Sequence, residues 1–206
     1  MSSPFTTLFM DVGGVLLTNS WDHVARRRAA EHFDLDHVTL DRRHHLIYPL
    51  YEEGKLGLDD YLERTVFYED RPFPLREFRE FMLAQSEARP QMIELVRELK
   101  ARYGLKVVAV SNEGLELAAH RIETFGLKGF IDLLVFSCFV RSRKPDVDIY
   151  HTALQLAQAP PQAVVYVEEQ PIFVEVAKSL GIRAFPHLND KYTRQTLATL
   201  GLSTEE

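Results

Sequence analysis

The sequence has a single cysteine, Cys138, so no disulfide can form within the chain. Its first residues lack the charged and then apolar pattern of an export signal. Apolar runs are short, as at residues 107–110, and none approaches the roughly 20 residues that a membrane-spanning helix needs. These absences predict a cytoplasmic protein without a membrane partner. Because apolar residues flank Cys138, we interpret it as a small core residue rather than a nucleophile.

Positive charge is also scarce, since 24 Lys and Arg face 30 Asp and Glu, a formal net charge of −6. Nucleic-acid binding requires clustered Lys and Arg on one face. The longest basic cluster, at residues 26–28, lies in a helical pattern typical of a solvated surface. Nucleic acid is therefore not an expected partner. Glycine and proline are not enriched, and 206 residues with 46% hydrophobic content suit one folded core plus one insertion.

Short apolar runs rich in β-branched or aromatic residues predict buried strands at 6–10, 106–110, 133–136, 163–167 and 182–185. Longer segments with apolar residues three and four apart predict helices at 91–103, 115–125, 147–158 and 172–180. Because strands and helices alternate, the pattern predicts an α/β fold with a parallel sheet and helices on both faces.

Residues 17–88 interrupt this alternation with amphipathic helices and no convincing strand. The sequence therefore predicts an α/β core formed by residues 1–16 and 89–206, with an all-helical cap at 17–88. An insertion placed directly after the first strand should stand over the carboxyl ends of the sheet, where open α/β sheets bind ligands. Five residues of the insertion can line a pocket or simply pack: Trp21, His44, His45, Tyr48 and Tyr51.

A carboxylate ends the first predicted strand. Asp11 follows an apolar run and precedes Val12, Gly13 and Gly14. A buried carboxylate is costly without an ionic or hydrogen-bonding partner, and adjacent glycines let the backbone approach a ligand closely. This pattern indicates an anion or metal site, although an aspartate that caps a tight turn would look the same.

Polar groups also follow the later strands. Ser111 and Asn112 come directly after residues 106–110, where they can hold a phosphate oxygen or serve as ordinary helix caps. Lys144 precedes a proline and a predicted helix, so it is either a neutralising cation or a surface loop residue. Glu168 and Glu169 end another strand, and they offer either ligands for a hard cation such as Mg²⁺ or a solvated acidic turn.

Taken in order, these motifs resemble the haloacid dehalogenase superfamily over essentially the whole chain. Within it, the sequence is most similar to the small sugar-phosphate phosphatases, which have an Asp-x-Gly first motif, a motif like that from Arg143 to Asp146, and a helical cap. The resemblance implies a Rossmann-like core and an aspartyl-phosphate formed on Asp11, with Lys144 balancing charge. It implies phosphate binding by Val12, Gly13, Ser111, Asn112 and Lys144, and Mg²⁺ held by Asp11, Gly13 and Glu168 or Glu169. Glu169 is the better metal candidate by strand register.

The sequence departs from that family in its acid/base residue. Gly13 stands where a second aspartate usually acts as general acid and base, a role worth about 10²- to 10⁴-fold in rate. The paired acids are Glu168 and Glu169 rather than the usual Asp-Asp or Gly-Asp, and Phe173 replaces a polar residue. Since Mg²⁺ tolerates little distortion of its octahedron, these changes predict weaker metal binding.

Four functions are compatible with these motifs. The leading hypothesis is a Mg²⁺-dependent phosphatase of a small phosphorylated metabolite. The second is a weakened or inactive protein that binds a phosphorylated ligand. A 2-haloacid dehalogenase would use the same aspartate without metal and ranks third, because the paired acids would then have no purpose. A flavodoxin-like signalling receiver ranks last, because a cap after the first strand contradicts it.

Overall fold

A computed structural model describes residues 4–204 of the chain. Its five strands are β1 (Thr7–Met10), β2 (Lys106–Ser111), β3 (Leu133–Phe136), β4 (Val164–Glu168) and β5 (Arg183–Pro186). They form one sheet in the order β3-β2-β1-β4-β5, and every neighbouring pair is parallel. The predicted α/β fold is therefore confirmed. The chain order reverses at the central strand β1, which is where such sheets leave a crevice.

Ten α-helices lie within residues 4–204: α1 (His23–His32), α2 (His37–Glu52), α3 (Leu58–Thr65), α4 (Leu75–Ala84), α5 (Pro90–Tyr103), α6 (Leu115–Thr124), α7 (Ser137–Val140), α8 (Val147–Ala157), α9 (Pro171–Ser179) and α10 (Asp190–Thr199). The individually predicted strands and helices are all present, with ends shifted by at most one residue. The sequence analysis missed α10, which begins where Asn189 accepts a hydrogen bond from the Tyr192 backbone N–H. No helix in the described range is long and apolar enough to cross a membrane.

Both faces of the sheet are buried. On one face, Leu8 and Met10 of β1 pack in a cluster with residues of α5 and with Cys138. On the other face, Phe9 packs with Tyr166 of β4 and with residues of α8 and α9. Because helices cover both faces, only the strand ends are accessible to a ligand. Chemistry in this core is therefore confined to the edge where the strands end.

The segment after β1 has a hydrophobic cluster of its own. Helices α1 to α4 occupy it without a strand, and their buried residues pack around Trp21, Tyr61 and Phe78. The Trp21 indole N–H donates to the Tyr61 hydroxyl at 2.8 Å, and His44 Nδ1 lies 2.9 Å from the same oxygen. Burial lowers the pKa of His44 to about 3, so this imidazole is neutral near pH 7.

The chain enters and leaves this segment at one place. Leu17 and Ala88 form an antiparallel bridge. Beside it, the Thr18 N–H donates to the Glu87 carbonyl at 2.8 Å and the Arg89 N–H donates to the Leu16 carbonyl at 2.9 Å. The chain segments that lead into and out of the helical segment are thus joined by backbone hydrogen bonds.

Tyr51 fixes the segment against the core at a second point. Its hydroxyl accepts a hydrogen bond of 3.2 Å from the N–H of Leu117, in the first turn of α6, which has no partner within its own helix. Gly114 precedes α6, and a Cβ at that position would lie 1.9 Å from a Tyr51 ring carbon. Only glycine permits this close approach. Nearby, the Ser137 hydroxyl donates to the Glu52 carbonyl at 2.7 Å.

Candidate active site

The residues singled out from the sequence meet at the carboxyl edge of the sheet. Asp11 follows β1, Ser111 ends β2 and Glu168 ends β4, while Lys144 lies in the loop before α8. Beside them is a cavity of about 300 Å³. Its lining residues are Asp11, Gly13, Asn19, Trp21, Asp22, Tyr48, Glu52, Ser111, Asn112, Glu113, Leu117, Arg121, Arg143, Lys144, Glu169, Gln170 and Phe173.

A buried lysine joins two carboxylates beside this cavity. Lys144 Nζ lies 3.1 Å from Asp11 Oδ1 and 2.6 Å from Glu168 Oε2, and its side chain is 1% exposed. It also donates to the Tyr166 hydroxyl at 3.1 Å. Asn112 positions the lysine loop, because its amide accepts from the Lys144 N–H at 2.8 Å and donates to the Lys144 carbonyl at 2.9 Å. The amide of Asn112 is thus engaged with protein backbone.

The ionic cluster perturbs the pKa of each member. Burial and the charge of Glu168 raise the pKa of Asp11 well above its ordinary value, although Lys144 opposes them. Burial also opposes ionisation of Glu168, but the Lys144 ammonium and hydrogen bonds outweigh it and lower that pKa. Burial disfavours the charged lysine too, yet both carboxylates raise the pKa of Lys144. Lys144 is therefore a permanent cation shared by two acids.

The two adjacent glutamates have different surroundings. Glu168 is fully buried, where its carboxylate accepts hydrogen bonds from Lys144, from the Tyr166 hydroxyl and, at 2.9 Å, from the Gln170 N–H. Glu169 instead lines the cavity and accepts from the Asn19 amide at 2.9 Å. A Cβ on Gly14 would lie 1.8 Å from Glu169 Oε2. The absence of a side chain at Gly14 therefore lets the Glu169 carboxylate lie against the loop after Asp11.

These oxygens fit a magnesium ion. Among residues 4–204, no three His, Cys, Asp or Glu side chains form a metal-binding group by themselves. Asp11, Glu169 and the backbone of Gly13 nevertheless line one cavity, and Mg²⁺ commonly takes one or two carboxylates and completes its octahedron with water and substrate oxygens. Three acidic side chains, Asp11, Glu168 and Glu169, lie close to one ammonium group, that of Lys144. This excess of acidic groups also suits a divalent cation.

An ion pair beside Ser111 escaped the sequence analysis. Arg121 Nη1 lies 2.5 Å from Glu113 Oε1, and both side chains are at most 3% exposed. The Ser111 hydroxyl lies 3.3 Å from the same oxygen, and Arg121 Nη2 donates to the Thr18 carbonyl at 2.8 Å. Arg121 therefore connects the cavity with the start of the helical segment. Its position in the middle of α6 gave no local signal of this contact.

The helical segment contributes the opposite side of the cavity. Trp21 and Tyr48 line it, whereas Tyr51 and His44 are buried in packing contacts and His45 is largely exposed. From the sequence, each of these five residues could either line a pocket or pack in the interior. In the structure, Trp21 and Tyr48 line the cavity and the other three do not. Further lining residues were missed, among them Glu52 and Arg143, whose carboxylate and guanidinium lie 2.6 Å apart.

Known proteins are similar to this chain in sequence and in fold. Residues 5–181 match a family model described as haloacid dehalogenase-like hydrolase. PpaX of Caldanaerobacter subterraneus subsp. tengcongensis, whose name describes a pyrophosphatase, is 26% identical over 171 residues, covering 74% of this chain and 78% of that protein. The phosphorylated carbohydrates phosphatase of Thermotoga maritima is 30% identical over 101 residues, covering 49% of this chain and 45% of that protein.

A solved structure shares the architecture. The HAD family enzyme of Bacteroides thetaiotaomicron, crystallised with magnesium and inorganic phosphate, superposes with a TM-score of 0.71 at 18% identity, covering 88% of this chain and 93% of that one. At this identity the likeness concerns the fold, whereas the family match spans most of the sequence. The chain belongs to the haloacid dehalogenase-like hydrolases.

Proposed function

We propose that this protein is a Mg²⁺-dependent phosphatase of a small phosphorylated metabolite, with Asp11 as its nucleophile. The observation that carries the proposal is the Lys144 ammonium held between Asp11 and Glu168 beside the cavity. A buried cation at this place favours the ionised form of Asp11 against the effects of burial and of Glu168, and it offsets charge on the transferring group. The fixed carboxylate of Glu168 holds the lysine in position.

The reaction has two steps. A carboxylate oxygen of Asp11 attacks phosphorus while the bond to the leaving oxygen breaks, giving an aspartyl-phosphate that water then hydrolyses. The Val12 N–H donates to Asp11 Oδ1 at 2.8 Å, and Lys144 contacts the same oxygen. These two contacts fix the orientation of the carboxylate, so less motion is needed to reach the attack geometry.

Phosphate binding is assigned to groups around Asp11. The Ser111 hydroxyl, the backbone N–H groups of Val12 and Gly13, and Lys144 supply donors. Asn112 acts by positioning the Lys144 loop. Mg²⁺ would be held by Asp11, the Gly13 carbonyl and Glu169, where it supplies charge neutralisation and orientation of the phosphate. Glu168 is better assigned to Lys144 than to the metal, because its carboxylate is fully buried against that cation.

We also propose that residues 17–88 act as a cap over a core of residues 1–16 and 89–206. The separate hydrophobic cluster of helices α1 to α4 and the bridge at Leu17 and Ala88 support this division. A cavity of about 300 Å³ favours a small substrate. Phosphorylated carbohydrates are the class to screen first, since the Thermotoga maritima relative is named for them.

The test is p-nitrophenyl phosphate hydrolysis by the wild type and by Asp11→Asn, with Mg²⁺ and with a chelator. We expect Mg²⁺-dependent release that the substitution abolishes, because an amide cannot form the phosphoenzyme. Thermal unfolding of both proteins, which should be folded, is the control. Equal release by wild type and variant would contradict the proposal.

Gly13 favours a second candidate, a binding protein for a phosphorylated ligand, because it removes a side chain that could carry a proton. In that case a phosphorylated carbohydrate would raise the unfolding temperature while no phosphate is released. A dehalogenase would instead release halide from a 2-haloacid without Mg²⁺.

A further inference from the structure

The proposed phosphatase needs a proton donor that the loop after Asp11 does not provide. When an alkyl phosphate is cleaved, the leaving oxygen becomes a strongly basic alkoxide unless it is protonated in the transition state. Such proton transfer by a positioned acid contributes about 10²- to 10⁴-fold. Gly13 has no side chain to supply it. If unactivated alkyl esters are substrates, another acidic side chain of the cavity must protonate the leaving oxygen.

Five carboxyl groups line the cavity: Asp11, Asp22, Glu52, Glu113 and Glu169. Asp11 is the proposed nucleophile. Asp22 is the N-cap of α1 and accepts from the N–H groups of Val24 and Ala25. Glu113 is paired with Arg121. Asp22 is thus committed to its helix cap, and Glu113 follows β2 at the same sheet edge as Asp11.

Glu169 is also unsuited, because it accepts hydrogen bonds from the Asn19 and Gln170 amides beside the loop that follows Asp11. Glu52 remains. It is the last residue of α2 and belongs to the helical segment, so it reaches the cavity from the side facing the sheet edge. It is 7% exposed, and the Ser137 hydroxyl fixes its backbone carbonyl.

The geometry of in-line attack also places the leaving oxygen on the side of the cavity where Glu52 lies. In-line attack by Asp11 from the sheet edge sends the leaving oxygen away from the sheet, towards the helical segment. From the proposed function together with this placement, we propose that the Glu52 carboxyl is the general acid of the first step. The Asp11 oxygen bonds to phosphorus, the bond from phosphorus to the leaving oxygen breaks, and the Glu52 proton passes to that oxygen, which leaves as an alcohol.

The charges around Glu52 support this role. Arg143 from the loop before α8, Glu113 after β2, and Lys144 act on it from the core, while Tyr48 lies on its own helix. Burial raises the pKa of Glu52, and Glu113 raises it further, whereas Arg143 and Lys144 oppose them. Protonated Glu52 therefore persists to higher pH than a free glutamic acid. After proton transfer, the guanidinium of Arg143 at 2.6 Å stabilises the carboxylate.

The test compares kcat/KM of the wild type and Glu52→Gln on p-nitrophenyl phosphate and on an alkyl phosphate such as a sugar phosphate. We expect a change of at most about threefold on the first, since nitrophenolate needs little protonation, and a loss of about 10²- to 10⁴-fold on the second. The wild-type kcat/KM for the alkyl ester should fall as pH rises through the Glu52 pKa, and the variant should lack this fall. Glu53 is the next residue and is paired with Lys55, so Glu53→Gln is the matched control. It should leave kcat/KM unchanged for both substrates.

Arg143→Met provides a second measurement. Removing this cation should move the decrease in alkyl ester activity to higher pH, because the pKa of Glu52 rises without its partner. Equal losses of Glu52→Gln on both esters would show that Glu52 only holds the cap in place, and no loss on the alkyl ester would assign the proton to another group. Either result overturns the inference while Mg²⁺- and Asp11-dependent turnover by the wild type preserves the proposed function.

Discussion

Replacing Gly114 by alanine would place a methyl group inside the ring of Tyr51. The added Cβ would lie 1.9 Å, 2.1 Å and 2.5 Å from three ring carbons, all below the 3.0 Å that real Cβ atoms keep. The backbone itself is compatible with alanine, since φ at Gly114 is −77°. Most of the cost therefore arises from contact with Tyr51, which must withdraw with the end of α2; the rest comes from alanine being a poorer N-cap of α6 than glycine.

The expected magnitude follows from two losses. Overpacking a tight contact costs about 1 to 3 kcal/mol. Withdrawal of Tyr51 also removes the hydrogen bond that its hydroxyl accepts from the Leu117 N–H, worth about 1 kcal/mol. We expect Gly114→Ala to lower the free energy of unfolding by about 3 kcal/mol, which corresponds to about 6 to 12 °C for a chain of this size.

Thermal and urea unfolding monitored by circular dichroism measure this loss. Gly129→Ala is the matched control, because a Cβ there meets nothing within 4 Å and the change in unfolded-chain entropy is the same. Adding Tyr51→Leu to Gly114→Ala should recover part of the stability, since the smaller side chain makes room for the methyl group. If Gly114→Ala were as stable as Gly129→Ala, the docking of Tyr51 on α6 would be refuted.

Two further predictions concern buried charge. Lys144→Met leaves Asp11 and Glu168 without their cation and should cost about 3 to 5 kcal/mol in urea unfolding at pH 8. The cost should shrink at pH 5, as the carboxylates take up protons, and exposed Lys55→Met is the control, expected to cost under about 1 kcal/mol. A loss for Lys144→Met no larger than for Lys55→Met would contradict the buried cluster. His44 is neutral when folded, with a pKa of about 3, and binds a proton below pH 6.5 when unfolded. The contribution of His44 to the free energy of unfolding is therefore present above pH 6.5 and is lost as the pH falls towards 3. Between pH 7 and pH 5 this loss lowers the free energy of unfolding by about 2 kcal/mol. His44→Gln should flatten this part of the stability profile, and an unchanged slope would show that His44 does not titrate in this way.

The sequence predicted the sheet well because its strands are buried on both faces. Continuous apolar runs such as residues 107–110 are too short for helices, and a buried strand accounts for them. The helices around the sheet alternate apolar and polar residues at helical spacing, so their ends were also predictable. Helix α10 buries Thr193 and Leu197, four residues apart, but the helix is mostly polar, so its apolar signal was weak and it was missed.

The candidate site was predictable only where it follows strands. Asp11, Ser111 and Glu169 line the cavity because parallel strands end at one edge, a property of the fold that sequence order reveals. Glu52 and Arg121 reach it from helices whose placement depends on tertiary packing, and no local pattern marks them. The contact between Asn112 and the Lys144 backbone likewise depends on how two distant loops meet.

The paired backbone at Leu17 and Ala88 has a consequence for how such proteins diversify. Because the ends of the helical segment lie one hydrogen-bonded bridge apart, a tight turn of a few residues can replace it without stretching the sheet. The same junction can accept a foreign segment of different length. With residues 17–88 as the proposed cap, substrate range can therefore change by exchange of the whole segment, while the carboxyl edge of the sheet keeps its geometry.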